Sequence, residues 1–198
     1  MTRTRVVLAS DNAGKLREFD ALLGEYFQLA PQSDLGIVGA DETGATFEEN
    51  ALLKARHAAA ESGLPAIADD SGLEVDALDG APGVRSARYA GADGNDAANN
   101  RKLLEALADV EGAARRARFR AVVVYVENAD DPRPLIAAGS WEGFIAHSPQ
   151  GTNGFGYDPL FFDAKDRKRS AELDPAEKNR RSHRGKAVRA LRALLEAR

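Results

Sequence analysis

Cysteine is absent from all 198 positions, which excludes disulfides, thiolate zinc sites and cysteine nucleophiles. The absence fits a reducing cytoplasm, the compartment expected for this chain. Long apolar runs are missing as well. Met1-Thr2-Arg3-Thr4-Arg5 leads only into Val6-Val7-Leu8-Ala9, too short for a signal peptide. Nowhere do the roughly 20 apolar residues of a spanning helix occur, so a soluble protein with no membrane partner is expected. Excess positive charge is lacking too. The 27 Lys and Arg residues against 31 Asp and Glu give a net charge of −4, which argues against a broad face for duplex nucleic acid. Repeats and low-complexity linkers are also lacking, so residues 1–198 are read as a single domain, one compact unit with two lobes. The remainder is 43% hydrophobic and 29% charged, an ordinary globular balance that builds a core without staples.

The pattern along the chain alternates between strands and helices. Arg5 to Ala9 reads as a buried strand ending at Ser10-Asp11-Asn12-Ala13-Gly14-Lys15, after which Leu16, Phe19, Leu22 and Leu23 repeat at helical spacing. A second helix is expected from Thr46 to about Ala60, and a short strand from Pro65 to Ala68 that runs into a loop at Asp69-Asp70-Ser71-Gly72. Asn99 to Val110 is amphipathic. Phe119 to Glu127 and Leu135 to Ile145 read as strands split by the turn Asn128 to Pro132, and Gly185 to Ala197 as a closing helix. The pair 119–145 resembles a hairpin, so a mixed sheet is expected in an α/β fold.

Five segments carry candidate chemistry. The loop Ser10 to Lys15 joins a strand to a helix N-terminus, where free N–H groups and the helix dipole attract phosphate, with Lys15 adding a mobile charge. It is not a P-loop, which needs Gly at Ala9 and Ser or Thr at Leu16. Thr46-x-x-Glu49 is a capping-box pattern, and a Glu at that position can also hold a metal. Lys54, five residues on, lies about 140° around the helix from Glu49. Asp69 and Asp70 concentrate negative charge after an apolar strand. Their side chains should point to opposite sides, and a hard cation such as Mg2+ takes one or two carboxylates with phosphate and water. Gly151 to Pro159 interleaves three glycines with Phe155 and Tyr157, available to stack on a planar base, and Asp158, an acceptor for ring N–H groups. Glu177 to Lys186 packs cations before the last helix, with His183 and Arg184 as directional donors. The run Lys165 to Arg169 reads as a solvated basic loop.

The order of these blocks resembles the Ham1/RdgB family, the pyrophosphatases of non-standard purine nucleoside triphosphates that include the inosine triphosphate pyrophosphatases. The blocks are Ser10-x-Asn12-x-x-Lys15, Thr46-Phe47-x-Glu49-Asn50-Ala51, Ala68-Asp69-Asp70-Ser71-Gly72-Leu73, Pro82-Gly83-Val84-x-Ser86-Ala87-Arg88-Tyr89, Gly154 to Pro159, and Glu177-Lys178-Asn179-x-x-Ser182-His183-Arg184. The resemblance implies a two-lobed α/β fold with an elongated central mixed sheet flanked by helices, and an active-site cleft between lobes. It implies a homodimer, Mg2+ dependence, and cleavage between the α- and β-phosphates. On this reading Ser10, Asp11, Asn12, Ala13, Gly14 and Lys15 hold the triphosphate, and Lys54 and Ser71 are further substrate contacts. Glu49 and Asp70 are the metal acids, with Asp70 also the proton acceptor. Phe155, Gly156, Tyr157, Asp158, Lys178, His183 and Arg184 surround the base and sugar. Donors at His183 and Arg184 would meet the purine 6-keto oxygen, and an adenine amino group there would leave them unpaired.

Two other classes of function compete. A single-stranded nucleic-acid-binding module would use the basic runs with Phe155 and Tyr157 as platforms, but the net charge and the paired acids count against it. A non-catalytic nucleotide sensor would keep the binding loops without the chemistry, yet every position the chemistry needs is filled.

Overall fold

The apolar run Val6-Val7-Leu8 has no solvent face, so β1 (Thr4–Leu8), exposed only at Thr4 and Arg5, lies inside a sheet. It is parallel to β2 (Phe27–Pro31) on one side and to β3 (Ala66–Val75) on the other. This computed structural model describes residues 3–91, 95–165 and 167–198. Met1, Thr2 and, in the basic run, Asp166 lie outside the described residues. The remaining strands are β4 (Arg116–Val126), β5 (Leu135–Ile145) and β6 (Phe161–Asp163), the last antiparallel to β5. Among the described residues the sheet has six strands in the order β2-β1-β3-β4-β5-β6, mixed as expected.

Each helix begins where its sequence offers a cap. In α1 (Ala13–Leu23) the Asn12 side chain accepts from the Lys15 N–H. In α2 (Phe47–Ser62) Thr46 and Glu49 close a reciprocal capping box. Asn95 caps α3 (Asp96–Ala106), and Asp174 followed by Pro175 opens α4 (Pro175–Arg181). The chain closes with α5 (His183–Glu196).

The chain folds as two compact units. The first comprises Met1–Asp70, Ala121–Gly139 and Arg184–Arg198, and the second Ser71–Arg120 and Ser140–His183. The core of the first unit is Val6, Leu8, Phe19, Leu23, Ile67, Val123 and Leu191 with their neighbours. In the second, Leu73, Leu103, Phe119, Trp141, Phe161 and Leu173 pack together.

Three expectations change. The strand expected at Pro65 to Ala68 runs on to Val75, so Asp69, Asp70, Ser71 and Gly72 stand within β3 rather than in a loop after it. Carboxylates are rare inside strands, and these persist because each has a cationic partner, described below. The basic segment expected just before the last helix is itself helical, α4 followed directly by α5, its start set by Asp174 and Pro175. The third amphipathic helix begins three residues earlier than Asn99, at Asp96. The short strands β2 and β6 had no distinguishing sequence pattern.

Candidate active site

Adjacent strand residues face opposite sides, and Asp69 and Asp70 show this, both almost wholly buried. Asp69 meets residues of α1 and α5. Lys15 Nζ lies 2.9 Å from its Oδ1, while Arg184 donates to Oδ2 from Nη2 at 2.8 Å and from Nε at 3.1 Å. Glu18, one turn beyond Lys15, accepts from Arg184 Nη1. Burial alone would raise the Asp69 pKa, but Arg184, Lys15 and Lys54 outweigh it and hold the carboxyl well below the usual range. Burial likewise opposes the charge on Arg184, yet Asp69 and Glu18 prevail and push its pKa upward. For Lys15 burial wins over Asp69, with Lys54 and Arg184 adding to it, and the ammonium is pulled below its ordinary value.

Asp70 meets α2 instead. Its Oδ1 accepts from Lys54 Nζ at 3.0 Å, and its Oδ2 from Asn50 Nδ2 at 3.3 Å. Lys54 also donates to Glu42 Oε1 at 2.8 Å, and Asn50 Oδ1 is fixed by the Gly44 N–H at 2.8 Å. Burial pushes the Asp70 carboxyl upward, and Lys54 only partly offsets it. For Lys54, burial is outweighed by Asp70, Asp69 and Glu42, so its pKa rises. Two neighbours in sequence therefore differ in kind: Asp69 is a locked anion, and Asp70 is biased toward taking a proton.

The loop Ser10 to Lys15 is pre-shaped. Ser10 Oγ accepts from the Asn12 N–H at 3.2 Å, and Asn12 Oδ1 accepts from the Lys15 N–H at 3.0 Å. This leaves Ala13 and Gly14 in the first turn of α1, where N–H groups have no partner within a helix. Asp11, expected among the residues that hold the triphosphate, accepts from Gln32 Nε2 at 2.6 Å.

Glu49 is exposed, and its Oε2 accepts from the Ala45 and Thr46 N–H groups at 2.7 and 3.1 Å. Among the described residues no three Asp, Glu or His side chains converge as a ready-made metal cage. A buried carboxylate and an exposed one would suit a Mg2+ that keeps waters and phosphate oxygens as its other ligands. The residues fit such an ion.

In the second unit, the Gly151 to Pro159 segment is organised around Asp158. Its Oδ2 accepts from the Phe155 N–H at 2.9 Å and from Lys178 Nζ at 2.6 Å, and its Oδ1 from Ser170 Oγ at 2.8 Å. Lys178 Nζ also sits 4.9 Å from the centroid of the Phe155 ring, a cation–π contact. Asp158 was expected to read the base, and Lys178 to lie beside the base and sugar. In the structure the two are buried against each other. Tyr157 departs further from expectation. Its ring is 4% exposed within the core, where burial raises its pKa, and its hydroxyl donates to the Ser86 carbonyl at 2.8 Å. A buried tyrosine needs such a partner, so Phe155 alone of the pair is left half-exposed. His183 is buried and stacked on Phe119 with centroids 4.8 Å apart, and Ser71 is half-buried on β3. In the basic run, Arg169 is not simply solvated but lies 5.1 Å over the Phe162 ring.

Residues missed at the sequence level include Glu18, legible only as the i+3 neighbour of Lys15 on α1, and Glu42, which no local pattern marks. Asp96, Asn99 and Asn100 were also missed, although their spacing puts them on one helix face.

A profile described as the Ham1 family matches residues 6–194. A dITP/XTP pyrophosphatase of Thioalkalivibrio sulfidiphilus is 58% identical over 195 residues, covering 98% of this chain and 100% of that protein. A dITP/XTP pyrophosphatase of Shigella flexneri is 56% identical over 188 residues, covering 94% and 95%. Among solved structures, a HAM1 protein from Coxiella burnetii superposes with a TM-score of 0.90 at 49% identity, covering 98% of this chain and 100% of that one.

Proposed function

The chain belongs to the Ham1 family, and from that membership we propose that it hydrolyses non-standard purine nucleoside triphosphates, dITP and XTP foremost, to the monophosphate and pyrophosphate. The observation that carries the mechanism is the opposed setting of two adjacent acids: Asp69 is held by Lys15 and Arg184, which lower its pKa, while Asp70 meets Lys54 and Asn50, and burial raises its pKa. Carboxyl pairs pushed apart in this way mark an electrostatic anchor and a proton acceptor. Water attacks the α-phosphorus, its proton passes to the Asp70 carboxylate, the new P–O bond forms, and the bond to the pyrophosphate leaving group breaks. Lys15 and the first-turn N–H groups of α1 offset the phosphate charge. Asp69 keeps Lys15 in place for that role. Glu49 and Asp70 are the residues that would hold Mg2+, which when bound neutralises phosphate charge and lowers the pKa of water. The half-exposed Phe155 offers a face to the purine, and His183 and Arg184 remain the candidate donors to its 6-keto oxygen. A cytoplasmic homodimer completes the reading. No helix among the described residues is long and apolar enough to cross a membrane.

The test is pyrophosphate release from dITP, XTP, dGTP and dATP with and without Mg2+, for the unmodified chain and for Asp70→Asn. Turnover of dITP and XTP at least about a hundredfold above the standard pair, lost in the variant by roughly the 10²–10⁴ of a missing general base, is the expected result. Equal cleavage of all four, or none, overturns the proposal.

A further inference from the structure

Gly156 lies at φ +62 with open space where a Cβ would project, so this glycine serves its backbone angle and not a close approach. Such a residue has the widest conformational freedom of any, and leaving it unheld would blur the position of the Phe155 ring beside it. It is held from both sides by one helix. Asp96 Oδ2 accepts from the Gly156 N–H at 2.7 Å, and Asn100 Nδ2 donates to the Gly156 carbonyl at 2.8 Å. These two residues are i and i+4 on α3, one above the other on the same face. Asn99, on the same side, binds the neighbouring turn: its Nδ2 donates to the Ser86 and Ala87 carbonyls at 3.4 and 3.1 Å, and its Oδ1 accepts from the Ala90 N–H at 2.7 Å. Ser86 is in turn the residue whose carbonyl receives the Tyr157 hydroxyl.

We propose that Asp96 and Asn100 are positioning residues for base recognition: α3 acts as a strut that freezes the Gly156 peptide on both sides and thereby fixes the stacking face of Phe155. Asp158 and Lys178 hold the same ring from the other end of the short segment, through the Phe155 N–H and the ring face. The side-chain hydrogen bonds of Asp96, Asn99 and Asn100 described above all go to residues of the second unit. Loss of the strut therefore weakens substrate binding and leaves the chemical step intact. This inference rests on the proposed function, in which Phe155 meets the purine.

The experiment compares Asn100→Ala, Asn100→Asp and Asp96→Asn with the unmodified chain, using Lys102→Ala as a control on the same helix. Three quantities are read: kcat and KM for dITP, dITP binding by calorimetry, and hydrogen exchange of the 151–158 segment. Asn100→Asp keeps the size but sets a carboxylate against the Gly156 carbonyl. Both Asn100 variants should raise KM and the dissociation constant about tenfold, the scale of one lost ordered hydrogen bond, with kcat within roughly twofold. Exchange at 151–158 should accelerate in both. Asp96→Asn keeps an acceptor oxygen and should stay near the unmodified chain on every readout, as should Lys102→Ala. If KM holds while kcat falls in step with the melting temperature, α3 is merely structural and the strut is overturned. If the unmodified chain releases no pyrophosphate from dITP, the proposed function fails instead. The strut is then judged on binding and exchange, and unchanged values in the Asn100 variants overturn it.

Discussion

Replacing Asp69 by Asn removes a charge while nearly preserving volume, and the structure sets the size of the effect. The carboxylate is 1% exposed and takes contacts from Lys15 at 2.9 Å and from Arg184 at 2.8 and 3.1 Å. Arg184 is itself buried and keeps Glu18, so the variant leaves a second cation, Lys15, beside an amide in a largely dry setting. Breaking a buried pair from one side costs about 3–5 kcal/mol, because the remaining charge is uncompensated. For a chain of this length about 1 kcal/mol moves the melting temperature by roughly 2–4 °C, so a fall on the order of 6–20 °C is expected at pH 7. Thermal and urea unfolding followed by circular dichroism measure it. Adding Arg184→Met should make the two changes non-additive, with a coupling of about 0.5–3 kcal/mol. The pH dependence has a definite sign. The folded pKa of Asp69 is depressed, so its contribution is fully present above the ordinary carboxyl value near ~3.9 and fades as pH falls below it. The gap between unmodified chain and variant should therefore narrow on acidification below about pH 4. A melting temperature within about 2 °C at neutral pH, or a gap that widens in acid, refutes the argument.

Two further substitutions probe the frame around the site. Gly154→Ala would place a Cβ 2.0 Å from Asp158 Oδ2 at a backbone φ of +79, and should destabilise the second unit by roughly 1–3 kcal/mol, read as a lower urea midpoint with unchanged slope. Thr46→Ala removes the acceptor of the Glu49 N–H and one half of the capping box at the start of α2. A loss of about 0.5–2 kcal/mol in thermal unfolding is expected, and no loss would mean that the Glu49 half suffices alone.

How much of this was legible in the sequence depends on the range of the signal. Local rules worked where the cause is local: Asn12 and Thr46 cap the helices that their spacing announced, and alternation along a strand put Asp69 and Asp70 on opposite faces. They failed where a partner far along the chain decides. Nothing near Asp69 shows that Arg184 would neutralise it, so β3 was ended too early at Ala68. Tyr157 read as a stacking platform because its aromatic character is visible and its burial is not, since the hydroxyl partner belongs to Ser86. The pairing of Asp158 with Lys178 was not legible for the same reason, since the two lie 20 residues apart. The strut residues of α3 were invisible because a hydrogen bond to a backbone peptide leaves no complementary residue to find.

The first unit is assembled from three separate stretches of chain, and its central ion pair joins residues 115 positions apart. A ribosome adding about 5–20 residues per second delivers Asp69 roughly ten seconds before Arg184. Through that interval Asp69 has Lys15 beside it but lacks the two donors of Arg184, so its charge is only partly offset. The second unit's pieces are all synthesised before the residue that completes the first. Vectorial synthesis thus makes the last helix the element that completes the charge balance around Asp69 in β3.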